Sequence, residues 1–202
     1  MKKQVSKKDI ELVRKAQKGN YGSFEKLVGL YEKEVYNIAY KIMRDEEDAR
    51  DILQETFLKA FEKLSSFRRE SNFSTWLYRI AVNLCLMRKR KDKDIRMVSI
   101  DKPIVTGERN DMKYELVEDW SESPHATLED NEVKRVLSKN IDALPEDYKT
   151  VFLLRSMNRL SNEAMAKILN TTVPAVKARL HKARLILRYE LSKYFKDTRK
   201  TA

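Results

Sequence analysis

Apolar side chains recur at steps of three and four residues through the N-terminal half of the chain, the spacing that places them on one face of an α-helix. The spacing predicts four helices there. The first follows a capping sequence at Ser6, the second covers 24–42, the third begins at Asp45, and the fourth begins at about Ser74. This part of the chain therefore predicts a small all-helical domain.

The C-terminal third shows the same spacing, and its last two predicted helices form a pair, 164–169 and a long helix from Val173. Ser161 and Thr172 have the side chains that cap helix N-termini and stand where these two helices begin. Asn170 tolerates the left-handed backbone that a tight turn between them needs. The pair therefore predicts a helix-turn-helix.

Composition agrees with an all-α protein. The 202 residues include only four Gly and four Pro, too few for the closely spaced turns of sandwiches and barrels. The single cysteine, Cys85, excludes a disulfide framework and a paired-cysteine zinc or redox motif. The sequence shows neither a signal peptide nor an apolar run long enough to span a membrane, which predicts a cytoplasmic protein that is not membrane-embedded.

Charge divides the chain into three parts. Residues 1–97 carry a net charge of +8, residues 98–131 a net charge of −6, and residues 132–202 a net charge of +9. We therefore predict two small helical domains, 1–97 and 128–202, joined by a flexible acidic linker. The excess of positive charge in both domains favours a polyanionic partner.

The second helix of the helix-turn-helix has the composition of a DNA-reading helix. No acidic residue occurs from Ala164 to Tyr189, and the early residues of such a helix reach base edges while Lys and Arg contact phosphates. A solvated basic helix that caps a bundle is the alternative, and RNA or a membrane surface is a less favoured one. The candidate DNA contacts are Thr171, Thr172, Ala175, Lys177, Ala178, Arg179 and Lys182.

A loop in the first domain alternates aromatic and basic residues over Phe67–Trp76, and we call it the aromatic-basic loop. This composition stacks unpaired bases and neutralises their phosphates. For Phe73 and Trp76 the alternative is a role in the core; for Trp76 taken alone the core role is the preferred interpretation, and single-strand contact is preferred for the set as a whole. The candidate contacts in the loop and the following helix are Arg68, Arg69, Asn72, Phe73, Thr75, Trp76, Arg79, Asn83, Arg88 and Arg90.

One stripe of the third predicted helix has the opposite character. Asp51, Gln54, Glu55 and Leu58, which we call the acidic stripe, share one face because they stand at positions i, i+3, i+4 and i+7. An acidic stripe on a basic domain is unsuited to nucleic acid and suits a protein partner. From the residues alone, an ordinary solvated face is the preferred interpretation.

Three segments carry a resemblance to a known family. Residues 48–57 resemble the core-polymerase-binding helix of bacterial RNA polymerase sigma factors, and residues 73–83 resemble their promoter-melting segment. Leu144-Pro145 and the helix-turn-helix through residue 184 are similar to their second DNA-reading domain. The order and spacing resemble those of the short, two-domain extracytoplasmic-function (ECF) sigma factors.

The resemblance implies a role for each part. It implies that Asp51, Gln54, Glu55 and Leu58 bind core RNA polymerase, which replaces the interpretation of the acidic stripe as a solvated face. It implies that the aromatic-basic loop and the following helix open the minus-ten promoter element and that the helix from Val173 reads the minus-thirty-five element. It also implies an anti-sigma factor as a protein partner, and no cofactor, metal or small-molecule substrate.

The helix-turn-helix departs from the family pattern at three points. Ala164 stands where a capping-box carboxylate is usual, a loss of about 0.5–1 kcal/mol of helix stability. Asn170 stands where the turn commonly has Gly, and Pro174-Ala175 stand where Gly-Thr is common. The lost Thr hydroxyl removes one DNA contact, so the promoter sequence does not transfer from the family.

Two other functions compete with a sigma factor. A stand-alone helix-turn-helix regulator would leave the acidic stripe and the aromatic-basic loop without a use. An enzyme is disfavoured because His125, His181 and Cys85 are isolated in sequence, and the chain has neither a Gly-rich phosphate loop nor a metal-ligand cluster. The sequence therefore predicts a transcription initiation factor and not an enzyme.

Overall fold

The computed structural model describes residues 7–98, 130–158 and 160–201. These ranges form eight α-helices and no strand, which confirms the predicted all-α class. The predicted cap at Ser6 and residues 99–127 of the predicted linker lie outside the described residues. The helices are α1 (Lys7–Gln17), α2 (Tyr21–Met43), α3 (Glu46–Lys63), α4 (Phe73–Val98), α5 (Asp130–Ala143), α6 (Glu146–Asn158), α7 (Asn162–Ile168) and α8 (Val173–Thr201), and a short 3₁₀ turn, Leu64–Ser66, follows α3.

The described residues form two compact units. The first contains α1 to α4 together with Leu153–Val176, and the second contains α5, the part of α6 up to Phe152, and α8 from Lys177 onward. This division passes through two continuous helices, α6 and α8. The domain boundaries inferred from charge remain a prediction.

The core of the first unit is built around α2, which packs against α1, α3 and α4. Its periodic face is almost wholly buried, as predicted, with Leu27, Val35, Ile38 and Ile42 at most 1% exposed. Burial of several large aliphatic side chains at about 1.5–3 kcal/mol each makes this face a major contributor to the unit's stability. The same packing fixes α3 and α4, which carry the candidate functional residues.

Polar caps set where α2 and α3 begin. The Asn20 side chain accepts a hydrogen bond from the Ser23 backbone N–H at 2.8 Å, and the Asp45 side chain accepts one from the Asp48 N–H at 2.9 Å. Each cap satisfies a backbone donor that has no partner within its helix. Arg44 closes α2 in the left-handed conformation, with φ 63°, so the chain turns sharply into α3.

The second unit has its own apolar cluster. Leu144, Ala183 and Leu187 are buried together, and four partly buried residues pack against them: Ile141, Tyr148, Phe152 and Ile186. Apolar spacing predicts a helix over 151–157, beginning at Val151. The helix α6 begins five residues earlier, at Glu146. The difference arises because buried polar side chains, which carry no apolar signal, occupy its first turns.

Thr150 is one of those buried polar residues, and its hydroxyl has no hydrogen-bond partner among the described residues. A buried hydroxyl without a partner costs about 1–3 kcal/mol. We expect Thr150→Val, which keeps the shape and removes the hydroxyl, to raise the free energy of unfolding by about 1 kcal/mol. Chemical denaturation measures the change. Thr150→Ala is the control, because its cavity offsets the gain, and a Val variant less stable than the wild type would contradict the expectation.

Candidate functional site

The acidic stripe lies on the outer face of α3. Asp51, Gln54 and Leu58 are exposed, and Leu58 keeps 61% of its surface accessible. Glu55 is half-buried and forms an ion pair with Lys59 at 2.7 Å. A large aliphatic side chain that remains exposed one turn after a carboxylate and an amide is typical of a protein-binding surface.

An apolar groove of about 570 Å³ runs along the acidic stripe between α2 and α3. The groove and the stripe share three residues, Asp51, Gln54 and Leu58. Its apolar lining consists of Phe24, Val28, Leu53, Phe57, Leu58 and Phe61. The stripe is therefore the polar edge of a larger and mainly apolar concave surface.

Sequence reasoning missed Phe61 as part of this surface. The apolar spacing of the third helix predicts that Phe61 belongs to its core face, together with Phe57 and Leu64, but the Phe61 side chain is 44% exposed and contacts two other aromatic rings. Its ring centroid lies 5.9 Å from that of Tyr21 and 5.1 Å from that of Phe24. Its position in the sequence could have indicated this role. Phe61 lies three residues after Leu58 and therefore on the same face of the helix as the acidic stripe.

Arg88, a candidate DNA contact on α4, is joined to the N-terminal part of α3. Its guanidinium lies 2.8 Å from a carboxylate oxygen of Asp48 and donates from two nitrogens to one oxygen of Asp51, at 3.2 Å each. Two carboxylates that share one guanidinium form a network, which holds its geometry better than an isolated surface pair. The structure thus connects a predicted DNA-contacting residue with a predicted polymerase-contacting residue.

The aromatic-basic loop is supported by packed rings. The ring centroid of Phe67 lies 4.9 Å from that of Trp76 and 5.9 Å from that of Phe73, and the Phe73 and Trp76 centroids are 5.6 Å apart. Phe67, Phe73 and Thr75 are buried, whereas Trp76 is half-buried. In this conformation Trp76 is the one aromatic residue of the loop that presents a ring partly to solvent.

The cationic and amide side chains around this cluster face solvent. Arg69 adopts the left-handed conformation with φ 59°, which is uncommon for a residue with a side chain and gives the loop a sharp bend. Arg88 is half-buried in its ion pair. The remaining candidates are all exposed, namely Arg68, Arg69, Asn72, Arg79, Asn83 and Arg90.

The turn between α7 and α8 has the predicted local geometry. The Ser161 hydroxyl accepts from the Ala164 N–H at 3.2 Å, and the Thr172 hydroxyl accepts from the Ala175 N–H at 3.3 Å. Asn170 has φ 49°, the left-handed backbone predicted for it. These bonds confirm both N-caps and the turn residue.

The long helix α8 separates its two faces as predicted. The apolar face, Val176, Leu180, Ala183 and Leu187, is buried. Among the candidate DNA contacts, Thr172, Lys177, Ala178 and Lys182 are exposed, and Thr171, Ala175 and Arg179 are half-buried. The Arg179 guanidinium lies 3.1 Å from a carboxylate oxygen of Asp147.

Within the first unit, α7 packs against α4. The Lys167 ammonium donates to the backbone carbonyl of Glu70, at the centre of the aromatic-basic loop, at 3.0 Å. A cavity of about 700 Å³ lies at this contact. Candidates from both predicted DNA-contacting sets line it, namely Thr75, Trp76, Arg79, Thr171 and Thr172.

Two features are absent from the part of the chain that the structure describes. No group of three or more His, Cys, Asp or Glu side chains there is arranged to hold a metal ion. None of the helices described there combines the length and the apolar content that crossing a membrane requires.

Two family models match the chain. The model of sigma-70 region 2 matches residues 27–95, and that of sigma-70 region 4 matches residues 135–187. The chain is 33% identical over 179 residues to the ECF RNA polymerase sigma factor SigW of Bacillus subtilis, with 89% of this chain and 94% of the relative covered. It is 31% identical over 184 residues to the RNA polymerase sigma-H factor of Pseudomonas aeruginosa, with 89% and 92% covered.

Solved structures show the same fold. CnrH, solved in complex with the cytosolic domain of CnrY, is 23% identical with a TM-score of 0.66, and the similarity covers 93% of this chain and 99% of that one. The sigma factor RpoE of Bartonella quintana, solved with the anti-sigma factor NepR, is 22% identical with a TM-score of 0.59. This similarity covers 84% of this chain and 96% of RpoE.

The match to region 2 decides between the interpretations that the sequence left open. A stand-alone helix-turn-helix regulator accounts for the match at 135–187 and leaves the match at 27–95 unexplained. The relatives at 31% and 33% identity cover both matched segments in one alignment of most of the chain. The chain belongs to the extracytoplasmic-function group of the sigma-70 family of bacterial RNA polymerase sigma factors.

Proposed function

We propose that this sigma factor, which directs RNA polymerase to promoters, divides its work among three surfaces. The acidic stripe and its adjoining groove bind core polymerase, the aromatic-basic loop opens and captures the minus-ten element, and the N-terminal part of α8 reads the minus-thirty-five element. The observation that carries the proposal is the exposed Leu58, which lines the apolar groove together with Gln54, on a domain whose other candidate surface is basic.

The proposed polymerase surface combines two kinds of contact. The groove offers an apolar concave surface, in which a helix of the partner buries apolar side chains. The carboxylates at its edge favour a basic partner and fix the register of the contact. This combination accounts for an exposed leucine, which a solvated helix face leaves unexplained.

The proposed minus-ten surface has a packed aromatic base and a layer of solvent-exposed cations. Trp76 rests on Phe67 and Phe73, so its ring is oriented before DNA arrives. The arginines around it suit the phosphates of a displaced strand. A base that leaves the duplex thus meets a ring and cations at the same site.

The decisive experiment adds the purified chain to core RNA polymerase and measures run-off transcription from a library of genomic fragments. We expect initiation at a discrete set of promoters that share a minus-ten and a minus-thirty-five element. The proposal would be wrong if the chain did not bind core polymerase and transcription stayed equal to that of core enzyme alone. The promoters recovered here supply the DNA for every experiment below.

Lys177 and Lys182 are expected to contact phosphates near the minus-thirty-five element. Replacing both with Ala should weaken promoter binding and lower the slope of log affinity against log salt by about 2, because each phosphate contact contributes roughly 0.9. Binding of holoenzyme to a promoter at several salt concentrations measures the slope. The control, Lys139→Ala with Lys193→Ala, removes the same charge from other exposed positions, and an equal fall of its slope would contradict the assignment.

We also propose an anti-sigma factor as regulator and the cytoplasm as the place of action. The supporting observation for the regulator is that RpoE, a similar structure, was solved with the anti-sigma factor NepR. The proposed place follows from the need to meet core polymerase and DNA. In this proposal the chain itself carries out no catalytic step, and the polymerase supplies the chemistry.

A further inference from the structure

We propose that Gln17, the last residue of α1, is a positioning residue for the aromatic-basic loop. The inference rests on the proposed role of that loop at the minus-ten element. The helix α1 ends ten residues before the segment 27–95 that the region 2 model matches. Gln17 therefore lies outside both the family match and every candidate set predicted from the sequence.

One side-chain amide holds two backbone carbonyls. The Gln17 Nε2 donates to the carbonyl oxygens of Leu64 and Phe67, each at 3.0 Å. Both partners only accept hydrogen bonds, so the NH₂ end of the amide must face them, and it has the two hydrogens that they need. A residue of α1 thus connects to backbone 47 and 50 positions later in the chain.

The two carbonyls mark the start of the loop. Leu64 begins the 3₁₀ turn after α3, and Phe67 is the first residue after that turn. Carbonyls at the end of a helix have no donor within the helix, and the Phe67 N–H reaches only that of Leu64, at 3.1 Å. Gln17 adds a second donor to the Leu64 carbonyl and supplies a donor to the Phe67 carbonyl, and so fixes the path by which the chain leaves α3.

The position of Phe67 is passed on to Trp76 through ring contacts. Phe67 is buried, and its ring centroid lies 4.9 Å from that of Trp76. A shift of the Phe67 backbone therefore moves the surface on which Trp76 rests. Two contacts connect the Gln17 amide to the ring that is proposed to meet an unpaired base.

A second connection runs from α1 to the same aromatic cluster. The Tyr31 hydroxyl donates to a carboxylate oxygen of Asp9 at 2.5 Å, and the Tyr31 ring centroid lies 5.6 Å from that of Phe73. Burial and the neighbouring Asp9 raise the pKa of Tyr31 above its ordinary value, so the hydroxyl keeps its proton and its bond to Asp9 into more alkaline solution than a free tyrosine would. The helix α1 therefore holds the cluster at two points, through Phe67 and through Phe73.

Three substitutions introduce side chains of similar length to glutamine. Together they distinguish the effect of the Gln17 hydrogen-bond donor from the effect of its side-chain volume. Gln17→Met keeps the length and removes both hydrogens, Gln17→Glu places negative oxygens against the carbonyls, and Gln17→Lys restores a donor. We expect affinity for a single-stranded oligonucleotide that carries the minus-ten element to fall about threefold with Met and about tenfold with Glu. We expect it to stay within about twofold with Lys.

The measurement uses holoenzyme assembled from each full chain, with the non-template strand of a promoter recovered by run-off transcription. Affinity for core polymerase and the thermal unfolding temperature are measured for the same chains. Affinity for core should stay unchanged, because the acidic stripe and its groove do not include Gln17. Lys18→Met, at the exposed neighbouring position, is the matched control and should leave all three measurements unchanged.

The order of the variants distinguishes positioning from packing. A packing role would place Met closest to the wild type and Lys furthest from it, and this order would overturn the inference. The inference would also be overturned if the Met and Glu variants bound the single strand as tightly as the wild type. The same holds if their affinity for core polymerase fell by the same factor as their affinity for the strand. A wild-type holoenzyme that does not bind the strand would overturn the proposed function of the loop, and this inference with it.

Discussion

Holoenzyme assembly is expected to weaken at least about 100-fold when Gln54 and Glu55 are both replaced by lysine, a loss of about 2.7 kcal/mol. The double substitution puts two cations at the centre of the acidic stripe, beside an apolar groove that a partner must desolvate. Like charges that meet across an interface cost several kcal/mol. Both residues lie on the outer face of α3, away from its buried residues, so the helix should remain folded.

Fluorescence anisotropy of labelled chain titrated with core polymerase measures this loss. The control variant combines Glu25→Lys with Asn37→Lys, which adds the same three units of positive charge at exposed positions on α2. It should bind core within about twofold of the wild type, because charge outside the interface mainly changes the rate of encounter. An equal loss in both variants would mean that net charge, and not the acidic stripe, governs assembly.

Promoter opening is expected to fall about tenfold to hundredfold in Trp76→Ala. A base stacked on an aromatic ring gains about 1–3 kcal/mol, and Trp76 is the loop aromatic whose ring remains partly exposed. Permanganate reactivity of unpaired thymines in the minus-ten element measures the open complex. Affinity for core polymerase should stay unchanged, since Trp76 does not line the groove beside the acidic stripe.

Trp76→Phe is the matched variant for this experiment. It keeps a ring that can rest on Phe67 and Phe73, so we expect it to retain most of the opening activity. The unfolding temperature of each variant separates lost stacking from lost stability, because Trp76 packs in the cluster. Promoter opening by the Trp76→Ala variant at the wild-type level would show that Trp76 is not part of the minus-ten surface.

Periodicity predicted the fold because most helices here bury one continuous apolar face. The face of α2 and the face of α8 are the clearest cases, and both are buried where the sequence puts them. Apolar spacing did not predict the first turns of α6, because Lys149 and Thr150 are buried there but are polar. The Lys149 ammonium is satisfied by Asp142 at 2.8 Å, a partner that no apolar pattern identifies.

The candidate surfaces were predicted less completely than the fold, because composition and spacing do not show which side chains contact each other. Composition located the aromatic-basic loop but did not separate the residues that present a surface from those that support it. Spacing alone could have shown that Thr75 is buried, because it precedes the buried Tyr78, Val82 and Cys85 at steps of three, four and three residues. Contacts such as those of Gln17 join residues far apart in sequence, and only the packed structure brings them together.

The ion pair of Arg88 joins a residue of the proposed DNA-binding set to a residue of the proposed polymerase-binding set, and so couples the two binding events. A polymerase that engages Asp51 withdraws it from Arg88 and leaves the guanidinium more available to a DNA phosphate. DNA that draws Arg88 away leaves Asp51 more available to polymerase. With the proposed partners, each therefore lowers the cost of binding the other, and thermodynamic reciprocity requires the two effects to be equal. If Asp51 binds polymerase and Arg88 binds DNA as proposed, this arginine on α4 makes polymerase binding and promoter binding cooperative.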